Sequence, residues 1–221
     1  MNNIENSIRI EKNIRENATF RVKRIFDISA AIAGLVITLP LWPILAIAIK
    51  LNSRGPVFFT QPRIGACFPT QTKVFNMIKF RSMVNNAEGE SGAVWAGKND
   101  SRVTAVGNFL RKTRLDELPQ LINVLKGDMS IVGPRPERPG FYAKLEDQIP
   151  YFAERTYGLM PGITGFAQIN QGYDTCIDDV RSKLSYDLSY SLALSSPISM
   201  LKTDINIAWK TIVVMVCGRG Q

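Results

Sequence analysis

The stretch ISAAIAGLVITLPLWPILAIAI, residues 28–49, has no charged side chain in 22 consecutive positions. As one helix it is about 33 Å long, enough for a hydrocarbon core of about 30 Å. Pro40 and Pro43 interrupt it. Each removes a helical hydrogen bond and clashes with the preceding turn, leaving pieces of about 12 and 10 residues that are too short to cross alone. The flanks are basic on both sides: Arg21, Lys23 and Arg24 before, Lys50 and Arg54 after. A spanning helix has a one-sided Lys/Arg bias. Basic ends on both sides predict a re-entrant, helix-break-helix segment that returns to the same anionic cytoplasmic surface. A kinked span and a buried soluble helix are the alternatives. The run is too long, and starts too far in, for a cleaved secretory signal.

Outward from this segment the composition changes. Residues 1–19 are polar and Asn-rich and read as a tail, 20–50 as the membrane-associated segment, and 51–221 as a cytoplasmic body. The whole chain has 221 residues, 27 basic and 19 acidic, for a net charge of +8, and is 45% hydrophobic. That is too apolar for a disordered chain and long enough for one real core. There is no histidine. This excludes His general bases, Ser-His-Asp and Cys-His nucleophiles, and His-ligated zinc. Cys67, Cys176 and Cys217 are too widely spaced for a C-x-x-C motif, and the odd count argues for a reducing compartment. Chemistry is left to carboxylates, Arg, Lys, hydroxyls, amides or a hard metal ion.

The body reads as α+β, dominated by helix, with a small β-hairpin. Val57-Phe58-Phe59-Thr60 and Lys73 to Phe80 are β-prone and can pair across a loop containing Pro62, Gly65 and Pro69. Residues 85–101 read as an exposed, mobile loop. Val103, Val106, Leu110, Leu115, Leu118, Leu121, Ile122 and Leu125 keep helical spacing up to Gly127, a suitable helix stop. Helix is also expected over 141–157 and 178–216. The apolar end at 209–216 suits a membrane surface or the core.

The densest polar cluster is RKTRLDELPQ, residues 111–120. Thr113-x-x-Asp116 has capping-box spacing and would put Asp116 and Glu117 in a first helical turn, where the dipole favours anions. Pro119 would leave the Leu115 carbonyl without its helical partner. Lys79-Phe80-Arg81 adds cations on a β-prone piece. Arg135 lies between two prolines that confine its backbone, and its guanidinium suits a phosphate fork. From spacing alone, ordinary surface capping is the better explanation of the 111–120 cluster, and a structural salt bridge explains Arg135 as well as phosphate binding does. Asp128, Asp178, Asp179, Asp187 and Asp204 read as solvated or capping.

TRLDELPQLINVLKGDMSIVGPRP, residues 113–136, resembles the core signature of the bacterial sugar transferase family, the small monotopic phosphoglycosyl transferases. The resemblance continues through KRIFDISAA, RGPVFFTQPRIG, FNMIKFRSM, NDSRVTAVGNFLRKT and PGITGFAQIN, covering about residues 20–216 in the family's order. It implies an enzyme of the bacterial inner membrane, with its catalytic domain and interfacial amphipathic helices on the cytoplasmic face. The implied reaction transfers a sugar 1-phosphate from a UDP-sugar to undecaprenyl phosphate, releasing UMP, as the first membrane step of a surface glycan. By motif position the nucleophile is Asp116, forming a phosphosugar-aspartate intermediate. Glu117 completes the dyad, both acids hold Mg²⁺, and Lys79, Arg111 and Arg135 contact phosphate. Many relatives have Gly-Arg where this chain has Gln171-Gly172. A non-catalytic, basic, membrane-anchored scaffold is the alternative. Nucleic acid is not an expected partner, because the basic residues are not interleaved with aromatics. Membrane lipids are expected partners, and homodimerisation, sugar identity and pathway stay open.

Overall fold

The computed structural model describes residues 17–68, 71–87, 89, 100–171 and 176–217. Most of the expected tail (1–16) and most of the expected 85–101 loop (88 and 90–99) lie outside them. Asn17 caps the first helix by accepting from the Thr19 N–H at 2.9 Å. Helix α1 (Ala18–Thr38) follows, then a 3-10 turn (Leu39–Leu41) and α2 (Trp42–Asn52). The interruption falls at the prolines because Pro40 has no N–H to donate. Pro43 sits in the first turn of α2, where its missing donor is harmless. Ala18–Asn52 is long and apolar enough to cross a membrane. One face packs on the body through Ala31, Leu45 and Ile49. The other exposes Ile25, Ile32, Val36, Ile37, Ile44, Ile47 and Leu51.

Three polar residues near the start of α1 fasten it to the body. Lys23 Nζ is 2.7 Å from Asp204 Oδ2. Arg24 donates to the carbonyls of Val124 (2.6 Å) and Leu125 (3.0 Å). Asp27 Oδ1 accepts from the Ser130 hydroxyl and the Ile131 N–H, both at 2.9 Å. Asp204 also accepts from the Tyr190 hydroxyl at 2.8 Å. At the far end of α2, Arg81 donates to the carbonyls of Ser53 (2.6 Å) and Arg54 (3.1 Å), and Asn52 Oδ1 accepts from the Val106 N–H.

The expected hairpin is present but longer. Strands β1 (Phe58–Phe68) and β2 (Gln71–Phe80) are antiparallel, from Phe58 opposite Phe80 to Phe68 opposite Gln71, with an irregularity between Ile64 and Cys67. The expected loop around Pro62 is therefore strand. In a two-stranded sheet each strand has a free edge, so Pro62 withholds no ladder bond. Helix α3 (Ala105–Lys112) is capped by Thr104 and lies close to Ser82. A Cβ on Gly107 would lie 1.8 Å from the Ser82 carbonyl oxygen, so only glycine fits there. A 3-10 turn (Leu115–Glu117) and α4 (Gln120–Lys126) follow, and Gly127 closes α4 at φ +86° as expected.

Strand β3 (Ser130–Val132) pairs in parallel with β4 (Gly162–Thr164). Between them, helix α5 (Pro139–Gln148) ends nine residues sooner than the expected helix to 157 would. Pro150 forces Ile149 into an extended conformation, and a separate 3-10 turn (Ala153–Thr156) follows. Helix α6 (Phe166–Asn170) leads to α7 (Ile177–Ala193) and α8 (Pro197–Val216). The expected 178–216 helix is thus two helices, parted where Ser196 caps α8 and Pro197 opens it. As expected, Asp179 caps α7 by accepting from the Cys176 N–H and Asp178 is solvated, but Asp187 and Asp204 are buried at 1% and 0% exposure. The result is a helix-dominated α+β fold with two small sheets.

Candidate active site

The chain reaches the two acids through a strained turn. Thr113 ends α3, and its hydroxyl donates back to the carbonyls of Phe109 (2.9 Å) and Leu110 (3.2 Å). Arg114 then takes a left-handed conformation, φ +54°, rare for a residue with a Cβ. The capping box expected from Thr113 and Asp116 does not form, because the Thr113 hydroxyl is already used to stop the preceding helix. Nor is the Leu115 carbonyl orphaned: it accepts from the Leu118 N–H at 3.3 Å. Leu115 and Leu118, on either side of the acids, pack in the cluster of Leu41, Trp42, Leu45 and Ile49. The turn therefore lies directly against the apolar helical segment.

Asp116 and Glu117 are both buried, yet they face different ways. Glu117 Oε1 is 3.0 Å from Lys79 Nζ and 3.3 Å from Arg135 Nη1. Among the described residues no hydrogen bond or ion pair engages the Asp116 carboxylate. It lines a cavity of about 730 Å³, a size typical of ligand pockets. Lys79, Arg111 and Arg135 line the same cavity. All five residues singled out in the sequence are thus brought together, with Glu117 tying down two of the cations. Among the described residues, seven Arg and Lys side chains line the cavity, against the two acids Asp116 and Glu137. Such a basin favours a polyanionic ligand. Phe58 and Phe80 also line the cavity and stack at 5.3 Å, and Trp42 meets Phe80 edge-on at 5.3 Å.

The electrostatics separate the two acids. Burial pushes the Asp116 pKa up, with Lys79 opposing and the adjacent Glu117 reinforcing the rise. Burial also works against Glu117, but Lys79, Arg135 and Arg114 outweigh it and hold that carboxyl below the usual range. Lys79 is pushed down by burial, against the pull of Glu117. Burial beside Arg135 lowers Arg63 to about 10.

Further residues build the site without having been picked out in the sequence. Asn123, fully buried on α4, accepts from the Ile78 N–H (3.0 Å) and donates to the Asn76 carbonyl (2.9 Å). It pins the helix after the acids to the strand that carries Lys79. A polar residue within the apolar stripe Leu121-Ile122-Asn123-Val124 was the available signal. Ser82 accepts from Arg111 Nε at 3.0 Å. Arg63 reaches the Pro136 carbonyl at 2.9 Å and lines the cavity.

Magnesium takes one or two carboxylates and completes its shell with water and substrate phosphates. Asp116, without a hydrogen bond or ion pair among the described residues, fits that pattern, and Glu117 has its Oε2 without a described contact. No cluster of three or more His, Cys, Asp or Glu occurs among the described residues, so any such ion would depend on phosphate oxygens for much of its coordination.

The bacterial sugar transferase family model matches residues 18–218. A UDP-N-acetylgalactosamine-undecaprenyl-phosphate N-acetylgalactosaminephosphotransferase of Aeromonas hydrophila is 43% identical over 199 residues, covering 90% of this chain and 44% of that protein. The chain therefore spans less than half the length of that relative. A putative undecaprenyl-phosphate N-acetylgalactosaminyl 1-phosphate transferase of Bacillus subtilis is 52% identical over 134 residues, 61% of this chain and 72% of the relative. An exopolysaccharide production protein of Rhizobium leguminosarum is 39% identical over 205 residues, 90% of this chain and 98% of the relative. With a match that runs from α1 past the end of α8, the chain belongs to the bacterial sugar transferase family.

Proposed function

We propose that this protein transfers a sugar 1-phosphate from a UDP-sugar to undecaprenyl phosphate, giving UMP and a lipid-diphosphate sugar that starts a surface polysaccharide. The observation that carries this reading is an unpaired buried carboxylate, Asp116, opening onto a cation-lined cavity beside the apolar helical segment. An Asp116 oxygen attacks the phosphorus that bears the sugar. The bond from that phosphorus to the bridging oxygen breaks, and UMP leaves with the electron pair. An oxygen of the lipid phosphate then attacks the same phosphorus, the aspartyl bond breaks, and the carboxylate is regenerated. Lys79, Arg111 and Arg135 offset the repulsion between an anionic nucleophile and an anionic diphosphate. Glu117 holds Lys79 and Arg135 in place. Mg²⁺, held by Asp116 and Glu117 with donor phosphate oxygens, would supply further charge neutralisation at the diphosphate.

The membrane geometry belongs to the same proposal. The start of α1 is held by Asp204, β3 and α4, and the end of α2 by Arg81, so both flanks of the apolar segment rest on one body. That supports a re-entrant segment whose ends share the cytoplasmic face of the inner membrane. The exposed Ile205, Trp209, Ile212, Val213 and Val216 of α8 suit the same interface. A lipid with its tail in the bilayer would then present its phosphate near Asp116.

The test is UMP release with undecaprenyl phosphate and a panel of UDP-sugars, including UDP-N-acetylgalactosamine and UDP-glucose. Without lipid acceptor, mass spectrometry should find one sugar-phosphate adduct on Asp116. No release with any donor, or an adduct elsewhere, overturns the assignment. Tags at residues 5 and 221 should be reachable from the cytoplasm alone; labelling from opposite sides would mean a span.

A further inference from the structure

The segment Pro134–Glu137 brings Arg135 to the site, yet it cannot hold itself there. Pro134 and Pro136 have no N–H, so the segment lacks the donors of an ordinary strand. Its four successive carbonyls are nevertheless all held from outside. Pro134 O accepts from the Gly162 N–H (2.9 Å) and Glu137 O from the Ile64 N–H (2.8 Å). Pro136 O accepts from Arg63 Nη1 (2.9 Å) and Arg135 O from Arg155 Nη2 (2.9 Å). Arg63 lines the cavity, whereas Arg155 is not among its lining residues and is 4% exposed. Arg155 is itself fixed. Its Nη1 is 2.6 Å from Asp187 Oδ2 on α7, its Nη2 is 3.3 Å from Glu137 Oε1, and its guanidinium stacks 4.6 Å from the Phe152 ring centre.

We infer that Arg155, oriented by Asp187, is a positioning residue for Arg135. The planar guanidinium spends one edge on Asp187 and the other on the Arg135 carbonyl and Glu137, which a lysine's single ammonium cannot do with the same geometry. The link runs from α7 through Arg155 to the Arg135 backbone, and from the Arg135 guanidinium to Glu117. A small shift of that backbone moves a phosphate-facing cation, and misplacement by about 1 Å is enough to cost about 100-fold in rate. The catalytic part of this inference rests on the transferase reading.

The test is a double-mutant cycle on the full chain, read as UMP release, together with hydrogen exchange. Arg155→Lys should lower kcat/KM by about 100-fold in the native background, but by less than about twofold in an Arg135→Ala background, because the two act as one unit. Equal losses in both backgrounds would mean a merely structural pair and overturn the inference. Independently of activity, Arg155→Lys should speed exchange of the 131–138 amides by about tenfold while 58–60 and 78–80 stay unchanged. Unchanged exchange over 131–138 also overturns it. If Arg155→Lys does not fold, Asp187→Asn, which keeps the arginine and weakens its orientation, takes its place in both arms. A native chain that releases no UMP defeats the transferase reading alone, and the exchange arm then decides the positioning.

Discussion

Of the buried charge clusters among the described residues, the one at the root of α1 is closed, whereas the one at the candidate site opens onto the cavity. At the root of α1, Lys23, Asp27, Asp204 and Tyr190 lie under 10% exposed, and each polar group is matched within the chain. At the site, Lys79, Arg135 and Glu117 are matched in the same way, but Asp116 has no hydrogen bond or ion pair among the described residues and lines the cavity. Burial of charge is common to both. What distinguishes the site is an anion, Asp116, to which no described residue supplies a hydrogen bond or ion pair, so that a ligand can supply the counter-charge.

The sharpest way to break this comparison is Asp116→Asn. It should cut UMP release by about 10⁴-fold or more, since the amide cannot act as the nucleophile. It should also raise the melting temperature at pH 7. Because burial raises the Asp116 pKa, the folded state holds that proton more tightly than the unfolded chain. The cost of the charge is absent below about pH 3.9 and grows as pH rises through the folded value. Calorimetry of the two proteins at pH 4 and pH 7 should show the gain at pH 7 alone.

At the sealed cluster the sign reverses. Asp204→Asn leaves Lys23 buried without its closest counter-charge, at about 3–5 kcal/mol, or on the order of 10 °C in melting temperature. The fraction that stays folded should keep its kcat. A selective loss of kcat without loss of stability would put the root cluster in the reaction.

Glu117→Gln tests the paired half of the site. Its lowered pKa stabilises the fold above the unfolded value of about 4.3 and is lost as pH falls through the folded one. The substitution should therefore lower the melting temperature at pH 7, opposite to Asp116→Asn, although the two residues are adjacent. The smallest expected effect is that of Tyr190→Phe, about 1–2 kcal/mol from one hydrogen bond to Asp204, with UMP release unchanged. A larger loss would mean that the hydroxyl organises the root cluster as a whole.

Much of this was legible before any coordinates. The apolar run with two prolines, the hairpin and the helix ending at Gly127 follow from period and punctuation, which are local. The five site residues came from motif resemblance, and spacing alone left them indistinguishable from surface capping. The side chains misread as capping or solvated each have a partner that the local pattern does not show. Thr113 has the right spacing for the helix after it, but its hydroxyl is used by the helix before it. Asp187 and Asp204 lie on amphipathic helices, where a carboxylate ordinarily faces solvent. Their partners Arg155 and Lys23 are 32 and 181 positions away, beyond the reach of any helical period.

The body-facing side of the apolar α1–α2 segment has a practical consequence. Ala31, Leu45 and Ile49 are core residues of the body, and Lys23 and Asp27 complete its interior polar pairs. Cutting the segment away to obtain a detergent-free protein would open holes in two clusters and strand Asp204. A water-soluble version is better sought by recolouring the outward face, at Ile32, Val36, Ile37, Ile44 and Ile47, with the backbone left whole.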